Sequence, residues 1–169
     1  ISIHQALETL GFRSLHWGGP TNGAKAKASF EAGRPLVEDL GDYDAYSDLA
    51  YLSKRFDVLD EQYPHSRFIL TTRDVDSWIR SRTNHVERNQ ARAARGEYSG
   101  TFLVVDVPAW RDEWERHHRL VTEYFAGRDN LLTMDVTQGD GYELLCPFLE
   151  VEQPKTPFPH DNRTAGQGA

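Results

Sequence analysis

The chain has 169 residues, a formal net charge of −7, 38% hydrophobic and 27% charged residues. That length fits one domain with its own core, and the acidic balance excludes a general nucleic-acid or membrane-surface binder while leaving room for a local basic pocket. A single cysteine, Cys146, excludes a disulfide framework and a CxxC zinc site, so a reducing, cytoplasmic setting is expected.

No apolar run approaches the ~20 residues of a spanning helix, and no signal peptide is visible. The first residue is Ile1, already inside a helical pattern, so further sequence is expected ahead of it. Residues 2–10 place Ile3, Ala6, Leu7 and Leu10 at helical spacing, closed by Gly11. Residues 12–17 (FRSLHW) read as a short strand, residues 18–23 (GGPTNG) as a loop, and residues 24–32 as a helix closed by Gly33. Residues 39–48 (DLGDYDAYSD) hold four aspartates without clear periodicity and read as a solvated loop. Leu49, Leu52, Phe56 and Leu59 then follow helical spacing until Tyr63-Pro64.

Residues 67–85 (RFILTTRDVDSWIRSRTNH) carry the clearest pattern. An apolar strand over 68–72 meets a charged break, Arg73-Asp74, and a helix then runs to about Arg95. Ligands of open α/β sheets bind at the carboxyl ends of strands. A helix start there offers N–H groups to an anion, and Arg73 adds a cation suited to phosphate. Ser81 joins the same anion if the helix leans back over the strand end. The competing reading pairs Arg73 with Asp74 or Asp76 at the surface and leaves Ser81 merely exposed. Residues 101–107 (TFLVVDV) fit either a buried strand or part of a helical excursion.

Pro108 suits a first helical turn, with Asp106 as its cap. Trp110, Trp114, His117, Val121 and Tyr124 then mark an amphipathic helix closed by Gly127. Residues 130–136 (NLLTMDV) read as a strand, 138–141 as a turn and 142–149 as a helix. Four prolines between Pro147 and Pro159 give an extended tail, flexible over 163–169, behind a single domain over 1–162. Alternating strands and helices define an α/β chain with a parallel sheet covered on both faces.

Asp48, in Ser47-Asp48-Leu49-Ala50, reads either as a helix N-cap or as a general base. The seven histidines include no HExxH pair, and Cys146 is far from all of them in sequence, so no metal site is expected. His16 ends a strand beside Trp17 and is placed to line a pocket; His118 reads as structural. Neither GxxxxGK[ST] nor GxGxxG occurs, so any phosphate-binding glycine loop would precede Ile1.

The chain resembles the sulfotransferases, a branch of the P-loop superfamily, and is most similar to bacterial and eukaryotic sulfotransferase-like proteins distinct from the cytosolic steroid and phenol enzymes. ISIHQALETLGFRSLH resembles the segment directly after the family's 5′-phosphosulfate loop, and LDEQYPHSRFILTTRDVDSWIRS resembles its strand and 3′-phosphate motif. HHRLVTEYF, NLLTMDVTQGDGYELLCPFL and PFPHDN resemble its later signatures, in the same order. The resemblance implies a three-layer α/β/α, P-loop NTPase-like fold with a central parallel sheet, its first strand and loop lying ahead of Ile1. It places Arg73 and Ser81, eight residues apart, on the pair that binds the 3′-phosphate of 3′-phosphoadenosine-5′-phosphosulfate. It places Asp48 where the cytosolic branch carries its histidine base, 25 residues before Arg73, and favours the base role over a cap alone. The implied activity is sulfuryl transfer, without a metal, to a hydroxyl or amine of a small-molecule acceptor. His16, Trp17, Tyr43 and Tyr46 are the candidate acceptor contacts. Two alternatives remain: a P-loop kinase, for which Asp135 is the hint, and a sulfotransferase-like binding protein without catalysis.

Overall fold

The computed structural model describes residues 1–19 and 21–159. Pro20, His160, the domain end at residue 162 and the tail over 163–169 lie outside the described residues.

Helix α1 (Ser2–Thr9) leads into strand β1 (Ser14–His16), and helix α2 (Asn22–Glu31) follows. The acidic stretch contains a 3-10 turn (Glu38–Leu40) and strand β2 (Ala45–Ser47), which pairs in parallel with β1. Helices α3 (Ala50–Ser53) and α4 (Phe56–Gln62) precede strand β3 (Phe68–Thr71) and the long helix α5 (Val75–Ala94). Helix α6 (Val107–Tyr124), strand β4 (Leu131–Met134), a 3-10 turn (Val136–Gln138) and helix α7 (Tyr142–Leu149) complete the order. β4 pairs in parallel with β3, with Phe68 opposite Leu131 and Thr71 opposite Met134. The result is a mixed α/β chain with two small parallel sheets.

Both sheets bury side chains on two faces, following the two-residue period of strands. In the β3–β4 sheet, Phe68, Leu70 and Leu131 pack with Val121 and Phe125 of the α6 end and with Phe56 of α4. Ile69, Leu132 and Met134 point the other way, toward Ala6 of α1 and Tyr142, Leu145 and Cys146 of α7. In the β1–β2 sheet, Leu15 and Tyr46 face Ala26, Leu36, Leu49 and Leu52. The neighbouring position Ser14 turns toward α1, where its hydroxyl meets His4 Nδ1 at 2.9 Å. Helix α1 therefore touches both sheets.

Four expectations need correction. The acidic stretch is not all loop. Its aspartates are held by cations, Asp42 and Asp44 by Arg13 and Asp39 by Arg34. That frees Ala45-Tyr46-Ser47 to pair, and three residues are too few to show a period. The single helix expected from Leu49 to Leu59 is broken between Ser53 and Phe56. The expected N-cap, Asp48, does not cap. Leu49 holds that position, and no side-chain bond closes the helix start. The ambiguous residues 101–106 are neither strand nor helix. Their backbone finds partners in side chains of α5, where Asn89 donates to the Phe102 carbonyl at 3.1 Å and Gln90 to the Leu103 carbonyl at 2.8 Å. Asp106 does cap α6, accepting from the Ala109 amide at 3.0 Å, with Pro108 in the first turn.

Candidate functional site at the carboxyl ends of the strands

Strands β1 and β2 end side by side in the same unusual way. Trp17 and Asp48, the residues directly after each strand, both have φ of 56°. A left-handed backbone is uncommon for residues with a Cβ, costs energy, and concentrates at functional positions. The two ends are joined by the Trp17 amide donating to the Ser47 carbonyl at 2.9 Å. Gly18, at φ 65°, then turns the chain away. A Cβ on Gly18 would fall 2.3 Å from Asn22 Nδ2, the group that donates to the Trp17 carbonyl at 3.3 Å. Gly18→Ala is thus expected to lower stability by about 1–2 kcal/mol, read as a drop in the thermal midpoint.

The turn at Asp48 sends its carboxylate toward His16 instead of toward the amides of α3. His16 Nε2 lies 3.7 Å from Asp48 Oδ2, and its Nδ1 lies 3.1 Å from Ser47 Oγ. The His4 ring stacks on His16, centroids 5.3 Å apart. Burial pushes the His16 imidazole below its ordinary value; His4 pushes the same way, and Asp48 pulls against them. His16 is largely covered, with 22% of its side chain exposed, whereas the Asp48 side chain is 67% exposed. The carboxylate is therefore largely open to solvent while its Oδ2 faces a shielded imidazole.

The aromatic candidates divide. Trp17 is 53% exposed at the strand end, beside Asp48 in the neighbouring strand. Tyr43 is 38% exposed and lies edge-on to Tyr46. The Tyr46 hydroxyl is committed elsewhere: it donates to the Gly41 carbonyl at 2.7 Å and packs on the α2–α3 side of the sheet. Burial raises its pKa.

At the other sheet, Arg73 follows β3 directly. The surface ion pairs once weighed for it are absent among the described residues, because both aspartates are taken. Asp74 caps α5, accepting from the Ser77 amide at 2.8 Å, and Asp76 pairs with Arg111. The Arg73 Nε is buried and lacks a hydrogen-bond partner among the described residues. One expectation is corrected here. The α5 start is not open to an anion through all its amides, since Asp74 already occupies the Ser77 N–H. Ser81 lies exposed two turns into α5, seven residues beyond Asp74 and so on nearly the same helix face. His16, Trp17 and Asp48 thus gather at one sheet end, while Arg73 and Ser81 stand at the end of the other.

Sequence reading missed His4 and Ser47, which hold His16. The spacing of His4 from Ser14 across α1 carries no local signature. His118 is structural as expected, its Nδ1 2.8 Å from the Trp114 carbonyl and its ring stacked on Trp114. Asp135, the kinase hint, is spent on its own turn, accepting from the Thr137 amide at 2.9 Å. Among the described residues no group of three or more His, Cys, Asp or Glu is placed to hold a metal ion, and no helix is long and apolar enough to cross a membrane.

Small parallel sheets flanked by helices define an α/β protein, with Arg73 after β3 unpaired among the described residues. A family model described as a sulfotransferase domain matches residues 1–102 and 98–166, and the chain belongs to that family. The family's domain is one of sulfuryl transfer. No curated protein matches the chain.

Proposed function

We propose that the protein transfers a sulfuryl group from 3′-phosphoadenosine-5′-phosphosulfate to a hydroxyl or amine of a small-molecule acceptor. The observation that carries this reading is Arg73. A guanidinium with a buried, unpartnered Nε at the carboxyl end of a parallel strand is costly unless an anion completes it. A 3′-phosphate does so with charge-assisted hydrogen bonds, and Ser81 adds a hydroxyl from α5, the helix that follows Arg73. The residues present therefore fit the 3′-phosphate of the donor. Bound there, the donor supplies the activated sulfuryl group. Asp48, largely open to solvent at the end of β2 in the other sheet, takes the acceptor's proton. Trp17 and Tyr43 present aromatic surface to the acceptor, and Tyr46 holds the segment that carries Tyr43.

The same reading extends to the fold, a three-layer P-loop arrangement. Helices α1 and α7 lie on one side of the strands, and α2, α3, α4 and α6 on the other. Among the described residues β2 pairs only with β1 and β3 only with β4. A further parallel strand between β2 and β3 would join the pairs into one sheet, and α1 would cover its crossover to β1. A cytoplasmic location belongs to the same proposal.

Two measurements on the intact protein test it. Calorimetry should detect adenosine 3′,5′-bisphosphate binding, and donor carrying labelled sulfate should pass its label to a member of a panel of phenols, alcohols, sugars and amines. Binding of ATP in place of the bisphosphate would overturn the donor assignment, and absence of label transfer across the panel would overturn the activity.

A further inference from the structure

The hydrogen-bond directions around His16 contain information that the position of Asp48 alone does not. The Ser47 hydroxyl donates to the Leu15 carbonyl at 3.4 Å. With the hydroxyl turned that way its lone pairs face His16 Nδ1 at 3.1 Å, a contact that suits the tautomer with the ring proton on Nδ1. Nε2 is left with a lone pair facing Asp48 Oδ2 across 3.7 Å. Two acceptors point at one another with no proton between them. Such a gap closes when one proton arrives, leaving an imidazolium against a carboxylate.

We propose that His16 and Asp48 form one proton-sharing pair, which takes up the acceptor's proton during sulfuryl transfer and holds it on His16 Nε2. This rests on the sulfotransferase reading above. In the step, the acceptor O–H bond breaks as oxygen bonds to sulfur. The bond from sulfur to the leaving phosphate breaks, with its electron pair going to that phosphate. The proton passes through the Asp48 carboxylate to Nε2. Carboxylates as a class hold protons weakly near neutrality, whereas imidazole titrates in the working range. The pair combines an exposed oxygen that reaches the acceptor with a shielded nitrogen that keeps the proton.

The surroundings bear on this titration from two elements. Helix α1 supplies the stacked His4 ring, with Glu8 3.4 Å from His4 Nε2. From β2 come Ser47 and Asp48. Asp48 is the anion that favours protonated His16; burial and His4 oppose it.

The test uses the intact protein with ¹⁵N-labelled histidine. Long-range proton–nitrogen spectra should show His16 protonated at Nδ1 and free at Nε2 near neutral pH, and Asp48→Asn should move its titration to lower pH. A proton on Nε2, or a titration indifferent to Asp48→Asn, overturns the pair. In turnover assays, His16→Gln should lower kcat about 10²-fold with the donor KM unchanged and should remove the rise of kcat through the His16 titration. Asp48→Asn, a side chain that tolerates the left-handed backbone equally, should lower kcat as much with an unchanged thermal midpoint. Sulfuryl transfer undiminished in His16→Gln overturns the pair while leaving the sulfotransferase reading intact. Absence of transfer from the wild-type protein overturns that reading and any role for the pair in transfer, and the spectra alone then decide whether the two groups share a proton.

Discussion

Arg73→Ala is expected to weaken binding of adenosine 3′,5′-bisphosphate by about 2–4 kcal/mol, on the order of 30- to 1000-fold. The size follows from what Arg73 lacks. Its two neighbouring aspartates are engaged with the Ser77 amide and with Arg111. Among the described residues the guanidinium therefore has no ion pair to give up, and a bound phosphate would meet a cation whose Nε is already shielded from water. Ser81→Ala should cost less, about 0.5–1.5 kcal/mol, because a neutral hydroxyl on an exposed helix face exchanges a water contact for a phosphate contact. Arg73→Lys is the informative intermediate: it keeps the charge and loses the planar fork, so it should recover only part of the lost affinity. Calorimetry at one fixed ionic strength reads all three, since exposed phosphate contacts are screened by salt. Wild-type affinity in Arg73→Ala would remove the 3′-phosphate from this strand end.

The strand, turn and helix around Arg73 were legible because several independent signals coincide there. An apolar run long enough to bury both faces is followed by a charged break and a helical period, and the chain follows them closely. The cap Asp106 and the tryptophan face of α6 were legible for the same reason. What escaped depends on contacts distant in sequence. Strand β2 is three residues long and exists because Arg13 and Arg34, outside the acidic run, neutralise it. The left-handed backbone of Trp17 and Asp48 has no composition signal, since neither is glycine. The identity of His16's partners was likewise unreadable, because Ser47 is 31 positions away and becomes a neighbour only through parallel pairing. For Asp48, local sequence offered a cap, a position that Leu49 takes instead, and only the resemblance favoured the base role.

The largest effect on stability is expected at a group no sequence signal marked. Asp60, in α4, is 7% exposed and accepts from four donors. Arg128 binds it through both terminal nitrogens at 2.7 Å, Tyr124 at 3.0 Å and Asn130 at 3.2 Å. These bonds tie α4 to the end of α6 and to the residue before β4, beside the cluster of Leu70, Val121 and Phe125. Asp60→Ala removes the charge and leaves Tyr124 and Asn130 without that acceptor, so a loss of about 3 kcal/mol is expected, at the low end for a broken buried pair. The low end applies because Arg128, with 37% of its side chain exposed, recovers water on that side. The Arg128 guanidinium, helped by Tyr124 and Asn130, holds the Asp60 carboxyl below the ordinary carboxylate value. A carboxyl depressed on folding contributes stability that is complete above its unfolded value of about 3.9 and is lost as pH falls through its folded value. Urea unfolding from pH 7 downward should therefore show wild-type stability falling below about pH 4, with part of that fall missing in Asp60→Ala. Equal acid sensitivity in both proteins would locate the acid-labile charge elsewhere. An undiminished midpoint for Asp60→Ala at pH 7 would mean that water replaces the carboxylate at no cost, and that the apolar cluster alone fixes α4 against α6.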